Sequence, residues 1–283
     1  MKLPLAVALA ALGAIGCKPD PLRARPYQLH LPNGHEPTQA APLLLLLHCY
    51  GCDLPTIERV MPFQALADRE SFIVVVPQGF VDSHGRPFWN ATDACCDLEG
   101  RAPDDVAYLT RVLDDVEAKH RVDPKRVFAA GFSNGGFMAH RLACERAERI
   151  AGVVSAGGAG WKDAARCRPS EPVAVLQIHG DADPIIEYRG GAFSSAGRAL
   201  APYPSASDSV ADWAKRDGCA PAPGAAPAMD VDPALPGAET DVARYAGCRG
   251  GAAELWTVHG GAHGVDSRFI EPAWRFLAAH PKP

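Results

Sequence analysis

A serine flanked by glycines is the strongest chemical signal in the sequence. Residues 131–136 read Gly-Phe-Ser-Asn-Gly-Gly, match the pattern Gly-x-Ser-x-Gly, and follow an apolar run that ends at Ala130. Between a strand and a helix, this pattern places the serine on a sharp turn with its hydroxyl exposed as a nucleophile. Glycines are needed because the tight turn has no space for neighbouring side chains. We therefore predict that Ser133 is a catalytic nucleophile; the alternative is an ordinary helix N-cap.

A serine nucleophile needs a base to take its proton and an acid to hold that base. Where the serine lies on such a turn, the acid and then the histidine follow it along the chain. Residues 179–184, His-Gly-Asp-Ala-Asp-Pro, offer two carboxylates, Asp181 and Asp183. After a later apolar run comes His-Gly-Gly-Ala-His-Gly, which begins at His259. The glycine-framed loop favours His263 as the base, with His259 as the alternative at the edge of the strand.

The reaction also requires two backbone N–H groups that stabilise the negative charge on the carbonyl oxygen. Asn134 follows the nucleophile directly and should supply one of them. The other should come from the loop His-Cys-Tyr-Gly at residues 48–51, with Tyr50 as the best candidate donor. Tyr50 has an alternative role as a wall of the substrate pocket.

The elements that must position these residues alternate along the chain. Continuous apolar runs predict buried strands at 43–47, 72–76, 126–130, 150–155, 173–178 and 254–258. Amphipathic stretches predict helices at 56–69, 104–120, 133–147, 207–217 and 266–279. This alternation indicates an α/β fold with a doubly wound, mostly parallel sheet and helices on both faces. Residues 220–237, rich in Ala and Pro, are expected to form an exposed excursion within one domain.

Composition excludes several classes of protein. The 283 residues are 47% hydrophobic and 22% charged, which is ordinary for a globular protein and excludes fibrous and disordered chains. The formal net charge is −5, and no basic run is present. Because binding to a phosphate backbone requires clustered Lys and Arg, we expect no nucleic-acid partner.

The first 20 residues resemble an export signal. Lys2 precedes an apolar run over residues 3–16, and Cys17 follows. The run is too short for a membrane span, which needs about 20 apolar residues. Its end, Ala-Ile-Gly-Cys, resembles a bacterial lipoprotein box in which Cys17 carries the lipid. We expect an exported protein, either released or anchored to the membrane through Cys17.

The remaining cysteines number eight, an even set that favours disulfides in an exported chain. Their positions are Cys49, Cys52, Cys95, Cys96, Cys144, Cys167, Cys219 and Cys248. Chain order favours a Cys144–Cys167 bond beside the predicted helix that follows Ser133, and a Cys219–Cys248 bond around the Pro- and Ala-rich excursion. The Cys49-x-x-Cys52 motif has no second pair to complete a four-cysteine site, so we expect neither a metal nor a cofactor.

Several motifs together resemble the secreted polyhydroxybutyrate depolymerase and feruloyl esterase-like serine esterases of the α/β-hydrolase superfamily. The resemblance extends from about residue 27 to residue 276. It rests on the Leu-rich strand before His48, Pro-Gln-Gly at 77–79, Trp-Asn-Ala at 89–91 with Cys-Cys at 95–96, Asp-Asp-Val at 104–106, Val-Asp-Pro-Lys-Arg-Val at 122–127, the Ser133 turn, Leu-Ala-Cys-Glu at 142–145, residues 179–184 and His263.

This resemblance implies an α/β-hydrolase fold in a single catalytic domain over residues 21–283. It implies hydrolysis of small-molecule or oligomeric carboxylic esters of the hydroxyalkanoate or hydroxycinnamate type. It places the acid at Asp183, the last position of the family's His-Gly-x-x-Asp pattern, and suggests pocket roles for His48, Trp89 and Asn90. We also expect a disulfide between the Cys49–Cys52 loop and the Cys95–Cys96 segment.

Three other functions remain open at this point. The same fold and triad serve peptidases and thioesterases, because the scaffold does not select the leaving group. A surface protein that binds without catalysis is a second alternative, and a cysteine-based redox protein is a third. The complete set Ser133, Asp183 and His263 favours the esterase.

Overall fold

A computed structural model describes residues 21–195 and 198–283. The predicted export signal and Cys17 lie outside the described residues. No helix within the described part of the chain is both long and apolar enough to cross a membrane.

Nine strands form one sheet with the order β1-β3-β2-β6-β7-β8-β13-β12-β11. The strands of the whole structure are β1 (Tyr27–His30), β2 (Ala41–Leu47), β3 (Ile73–Pro77), β4 (Phe80–Val81), β5 (Pro87–Phe88), β6 (Val122–Phe132), β7 (Gly152–Ala156), β8 (Ala174–Gly180), β9 (Gly191–Ser195), β10 (Arg198–Tyr203), β11 (Gly224–Met229), β12 (Thr240–Arg244) and β13 (Ala252–Val258). The six central strands run parallel, and β1, β12 and β11 pair antiparallel at the edges. The structure is therefore the expected doubly wound, mostly parallel α/β sheet.

Helices cover both faces of this sheet. They are α1 (Pro21–Ala24), α2 (Leu54–Val60), α3 (Phe63–Glu70), α4 (Asp105–Glu117), α5 (Asn134–Glu145), α6 (Ala206–Arg216) and α7 (Ile270–Ala278). Strand β2 shows how the core divides, since Leu43, Leu45 and Leu47 pack with α4 and α5. Leu44 and Leu46 face the other way, into the core shared with α2, α3 and α7. This period of two explains why β2 reads as a continuous apolar run: both of its faces are buried.

Two predicted segments differ from the structure. The single helix predicted over residues 56–69 is wrong: α2 ends at Val60 and α3 begins at Phe63. Pro62 lies between them, and its missing N–H and rigid ring interrupt helical hydrogen bonding. The excursion at 220–237 contains β11, which pairs with β12 at the edge of the sheet. Its Pro227 is compatible with an edge strand because one side of such a strand donates to no neighbour.

All eight cysteines in the described residues form disulfides. The structure pairs Cys144 with Cys167 and Cys219 with Cys248, as the chain order favours. It also pairs Cys49 with Cys52 and Cys95 with Cys96. The expected bond between these last two segments is therefore wrong. The turn of the Cys49 loop brings its own two cysteines to a Cα separation of 5.2 Å, which is a usual distance for a disulfide.

Asp217 is a buried carboxyl at the carboxyl end of α6, with 2% of its surface exposed. Burial raises its pKa to about 7, against the weaker effects of the Val173 N–H and the Arg216 charge. A carboxyl whose pKa is higher in the folded protein than in the unfolded chain lowers the stability at any pH where the unfolded chain has lost its proton. This cost is absent below about pH 4, grows as pH rises, and is complete above about pH 7.

We predict that D217N is more stable than the natural protein at neutral pH. Its amide stays neutral, so the gain should grow from pH 4 to pH 7 and then level off, at on the order of 4 kcal/mol. Thermal melting of both proteins across this pH range is the measurement. A difference in melting temperature that shrinks or stays constant as pH rises contradicts the assignment.

Candidate active site

Ser133 occupies the turn between β6 and α5. Its backbone has φ 55° and ψ −119°, a conformation that costs a non-glycine residue about 1–3 kcal/mol. The turn is held because the Ser133 N–H donates to Ala156 O at 2.8 Å and its carbonyl accepts from Phe137 N at 3.1 Å. Although Ser133 is at the N-cap position, its side chain makes no capping hydrogen bond. The hydroxyl is therefore available for chemistry rather than used as a helix cap.

The glycines on either side of Ser133 are required by close backbone contacts. A Cβ atom on Gly131 would collide with the carbonyl oxygen of Gly135. A Cβ atom on Gly135 would collide with the carbonyl oxygen of Leu47 at the end of β2. The first turn of α5 thus lies directly against β2, where the Tyr50 loop begins. This contact brings the two predicted N–H donors to the same end of the sheet.

Asp183 and His263 come together at the carboxyl ends of β8 and β13. His263 Nδ1 lies 2.7 Å from Asp183 Oδ2, and both groups are largely buried. The other carboxylate oxygen, Oδ1, accepts from the N–H groups of Ile185 at 2.8 Å and Ile186 at 2.9 Å. The His263 ring also packs against Phe132, with 4.8 Å between ring centroids. Since Phe132 precedes Ser133, the imidazole lies beside the nucleophile turn.

Asp183 is held in its ionised form. Burial on its own would raise the pKa of Asp183. Hydrogen bonds from His179 and His263, with those from the backbone of Ile186 and Ile185, outweigh it and hold the pKa well below the usual range. An ionised carboxylate fixes the imidazole with its proton on Nδ1 and leaves Nε2 free to accept a proton.

The alternative pair, Asp181 and His259, has a different environment. His259 Nδ1 lies 2.8 Å from Asp181 Oδ2, and its Nε2 lies 2.8 Å from Asp241 Oδ2. Hydrogen bonds with Asp241 and Asp181 raise the pKa of His259. Both ring nitrogens therefore face carboxylates on the surface, and neither is free to take a proton from a serine. The geometry favours Asp183 and His263 as the acid and the base.

Tyr50 belongs to the loop that follows β2. Its hydroxyl donates to Asp82 Oδ2 at 2.7 Å, and the Arg86 guanidinium lies 5.1 Å from its ring centroid. The next N–H, on Gly51, donates to Pro87 O at 2.7 Å. The β4–β5 hairpin therefore fixes the Tyr50 side chain. On the other side, Asn134 is the first residue of α5, so its N–H has no acceptor within the helix.

His48 and Trp89 are not positioned as walls of a substrate pocket, because neither has any exposed surface. His48 Nδ1 donates to Cys49 O at 2.8 Å, and its Nε2 accepts from Gly79 N at 2.9 Å. Burial lowers the pKa of His48 to about 4, so the ring is neutral. The Trp89 indole N–H donates to His48 O at 2.9 Å. Both residues support the Tyr50 loop from inside, which corrects the pocket role expected for them.

Asn90 also has a structural role, through hydrogen bonds to residues at the start of α4. Its N–H donates to Asp105 Oδ2 at 2.6 Å, and its side-chain amide donates to Pro103 O at 3.0 Å. Asp105 is fully buried and pairs with Arg25 at 2.6 Å. Asp105 was not among the predicted site residues, and its only signal in the sequence was its place in the Asp-Asp-Val motif at residues 104–106.

The Asn134 side chain has a role that the sequence did not indicate. Its Oδ1 accepts from Trp89 N at 2.7 Å, and its Nδ2 donates to Trp89 O at 2.9 Å. This pair of bonds joins the residue after the nucleophile to the segment that supports the Tyr50 loop. A hydrogen-bonded amide between two backbone groups is specific for Asn, since Asp cannot donate.

One pocket borders the proposed base, His263, but does not include Ser133. This pocket has a volume of about 260 Å³ and is lined also by Asp232, Val265 and Phe269. A larger cavity of about 700 Å³ lies against α7 and β13 and includes none of the three residues Ser133, Asp183 and His263. Within the described residues, no group of three or more His, Cys, Asp or Glu side chains is arranged to hold a metal ion.

The fold and the strained serine turn define an α/β hydrolase. Acetyl xylan esterase from Aspergillus awamori has the same fold, with a TM-score of 0.61 at 14% identity over 90% of this chain and 94% of that one. The Bacillus cereus carboxylesterase matches with a TM-score of 0.56 at 16% identity, covering 89% of this chain and 93% of that chain. At these identities the likeness shows the fold alone.

The sequence comparison gives the family. The sequence pattern of the phospholipase/carboxylesterase family matches residues 35–196, which is more than half of the chain. This segment includes Ser133 and Asp183. The chain therefore belongs to the phospholipase/carboxylesterase family.

Two curated relatives resemble most of the described chain. NocK of Nocardia uniformis subsp. tsuyamanensis, named as an esterase, is 33% identical over 82% of this chain. Feruloyl esterase B of Piromyces equi is 29% identical, also over 82% of this chain. The chain spans 58% of the length of the first relative and 41% of the second.

The geometry predicts unequal effects for the two aspartates that follow β8. Because Asp183 accepts from His263 and Asp181 does not, D183N should lower kcat by about 10³- to 10⁴-fold through the wrong imidazole tautomer. D181N is the matched control, with the same chemical change two residues away, and should stay within about 10-fold of the natural protein. Steady-state kinetics on an aryl ester compares them. A larger loss in D181N than in D183N would reverse the assignment of the acid.

Proposed function

We propose that this chain is an exported serine esterase that hydrolyses carboxylic esters through an acyl-enzyme. Residues 21–283 form its single catalytic domain. The observation that carries the proposal is the 2.7 Å hydrogen bond between His263 Nδ1 and Asp183 Oδ2 beside the strained turn of Ser133. The esterase relatives support the reaction class.

The first half of the reaction transfers the acyl group to the enzyme. Ser133 Oγ attacks the carbonyl carbon of the ester while His263 Nε2 takes the hydroxyl proton. Asp183 stabilises the imidazolium that forms. The N–H groups of Asn134 and Tyr50 donate to the negatively charged oxygen of the tetrahedral intermediate. When that intermediate collapses, the C–O bond to the alcohol breaks and His263 gives the alcohol its proton.

The second half regenerates the enzyme by hydrolysis. Water attacks the acyl carbon, and His263 Nε2 removes a proton from it. The tetrahedral intermediate forms again at the same N–H groups and breaks to release the carboxylic acid, and the proton returns to Ser133. Every proton and electron pair in the two steps is accounted for by these residues and water, so the reaction needs no metal or organic cofactor.

We propose hydroxycinnamate or hydroxyalkanoate esters as the substrate class. The support is the similarity to feruloyl esterase B, together with the motifs around His48, Trp89 and residues 179–184. Peptide and thioester hydrolysis are the competing activities, since the fold does not select the leaving group.

We also propose export, with anchoring through a lipid on Cys17. The apolar run behind Lys2 supports export, and so do the four disulfides, because disulfides persist in oxidising compartments. Cys17 follows that run at the position of a lipid-bearing cysteine. A firmly held anchor would keep the catalytic domain at the cell envelope.

A substrate panel with the S133A variant as control tests the proposed activity. The natural protein should hydrolyse methyl ferulate or hydroxybutyrate oligomers at least about 100-fold faster than a matched peptide or thioester substrate. S133A should lose activity by several orders of magnitude while keeping its fold, because triad members act as a unit. Faster hydrolysis of the peptide or thioester would assign the competing reaction. Equal turnover in S133A would exclude the serine mechanism.

A further inference from the structure

A buried chain of polar side chains ends at the loop that carries Asp183. It consists of Trp213 on α6, His140 on α5, and Gln177 and His179 on β8. Each of the four is at most 2% exposed. The three contacts along the chain measure 3.0 Å from Trp213 to His140, 3.0 Å from His140 to Gln177, and 3.2 Å from Gln177 to His179. Buried polar groups of this kind are costly unless each of them is paired.

The donor at one end fixes the direction of every bond. The Trp213 indole N–H can only donate, so His140 Nδ1 accepts and His140 Nε2 carries the proton. Nε2 then donates to Gln177 Oε1. The Gln177 amide nitrogen faces Gly158 O at 2.9 Å, an acceptor only, which fixes the same orientation independently. Burial lowers the pKa of His140 to about 4, so its ring is neutral as this direction requires.

The consequence is a defined proton position on His179. Because the Gln177 amide donates to His179 Nδ1, the ring proton of neutral His179 must be on Nε2. That nitrogen lies 2.7 Å from Ile186 O and 3.5 Å from Asp183 Oδ2. It therefore donates toward the loop that carries Asp183, close to the same carboxylate oxygen that faces His263. With its proton on Nδ1 instead, His179 would direct a lone pair at two acceptors.

We propose that Gln177 and His179 are positioning residues for the catalytic acid: Gln177 fixes the tautomer of His179, and His179 holds the Asp183–Ile186 loop. Three hydrogen bonds hold the loop. The N–H groups of Ile185 and Ile186 donate to Asp183 Oδ1, and His179 Nε2 donates to Ile186 O. This proposal rests on the proposed function, because Asp183 must be the acid. It adds two residues that touch neither substrate nor nucleophile.

Two variants separate positioning from stability. Q177M keeps the length of the side chain but removes the donor to His179. W213F, the matched control, removes a buried hydrogen bond from the outer end of the same chain and leaves the Gly158 contact of Gln177 in place. We expect comparable losses of melting temperature. Q177M should lower kcat about 10- to 100-fold with KM within about twofold, and W213F should lower kcat less than about threefold. Equal losses of kcat in the two variants overturn the proposal.

A second pair of variants tests the donor on His179. Because the amide of Gln can reach the position of Nε2, H179Q should retain kcat within about threefold, and H179M should lose about 10- to 100-fold. Rescue by Gln supports the positioning role. If H179Q and H179M lose kcat equally, the donor to the Asp183 loop is not what matters, and the proposal fails.

A spectroscopic measurement keeps the proposal independent of the assay. ¹⁵N NMR of the histidine rings in the natural protein should show His179 and His140 as neutral, with the proton on Nε2. In Q177M, His179 should lose this single tautomer. Observation of the Nδ1–H form of His179 in the natural protein overturns the proposal even if esterase activity is established. Activity retained in S133A would instead reject the proposed function and leave the tautomer result unaffected.

Discussion

The structure of the site depends on how closely the first turn of α5 approaches β2. Gly135 lies against the carbonyl of Leu47, and Gly131 lies against Gly135, so no side chain fits at either position. This contact forces Ser133 into its left-handed backbone conformation at a cost of about 1–3 kcal/mol. The packing of β6 and α5 in the core, together with the bond from Ser133 N–H to Ala156 O, offsets that cost.

The close contact between α5 and β2 also positions the N–H groups proposed to stabilise the negative charge on the substrate's carbonyl oxygen. It places the free N–H at the start of α5 next to the loop that follows β2. That loop is held in place by His48, which is fully buried and hydrogen bonded at both ring nitrogens. The Trp89 indole N–H also donates to the His48 carbonyl oxygen. The Asn134 side chain joins the two supports. A preorganised pair of donors is most effective when it needs no rearrangement during the reaction.

Strong local patterns made much of this architecture predictable. The six parallel strands were located within a few residues because continuous apolarity reports burial on both faces, as in β2. The short antiparallel strands β1 and β12, and the edge strand β11 within the Pro-rich excursion, have no such run. Ser133 was recognisable because the glycines that its turn requires, Gly131 and Gly135, lie within two residues of it in the sequence.

Other features depend on contacts that are distant in sequence. Asp181 and Asp183 follow the same strand, and only the fold shows that the first faces His259 on the surface and the second His263 near the serine. The family resemblance suggested pocket roles for His48 and Trp89, whereas only the fold shows that both are buried and hydrogen bonded, His48 to Gly79 and Trp89 to His48. The pairing of Cys49 with Cys52, by contrast, is local and reflects the geometry of one turn, which the sequence did not specify.

The central claim is that Ser133 is an activated nucleophile, and covalent labelling tests it most directly. A fluorophosphonate probe reacts with a serine hydroxyl that an adjacent base activates. Peptide mapping of the labelled protein should place the adduct on Ser133, and H263A should react far more slowly although it retains the serine. An unlabelled natural protein, or an adduct on any other serine, would contradict the account.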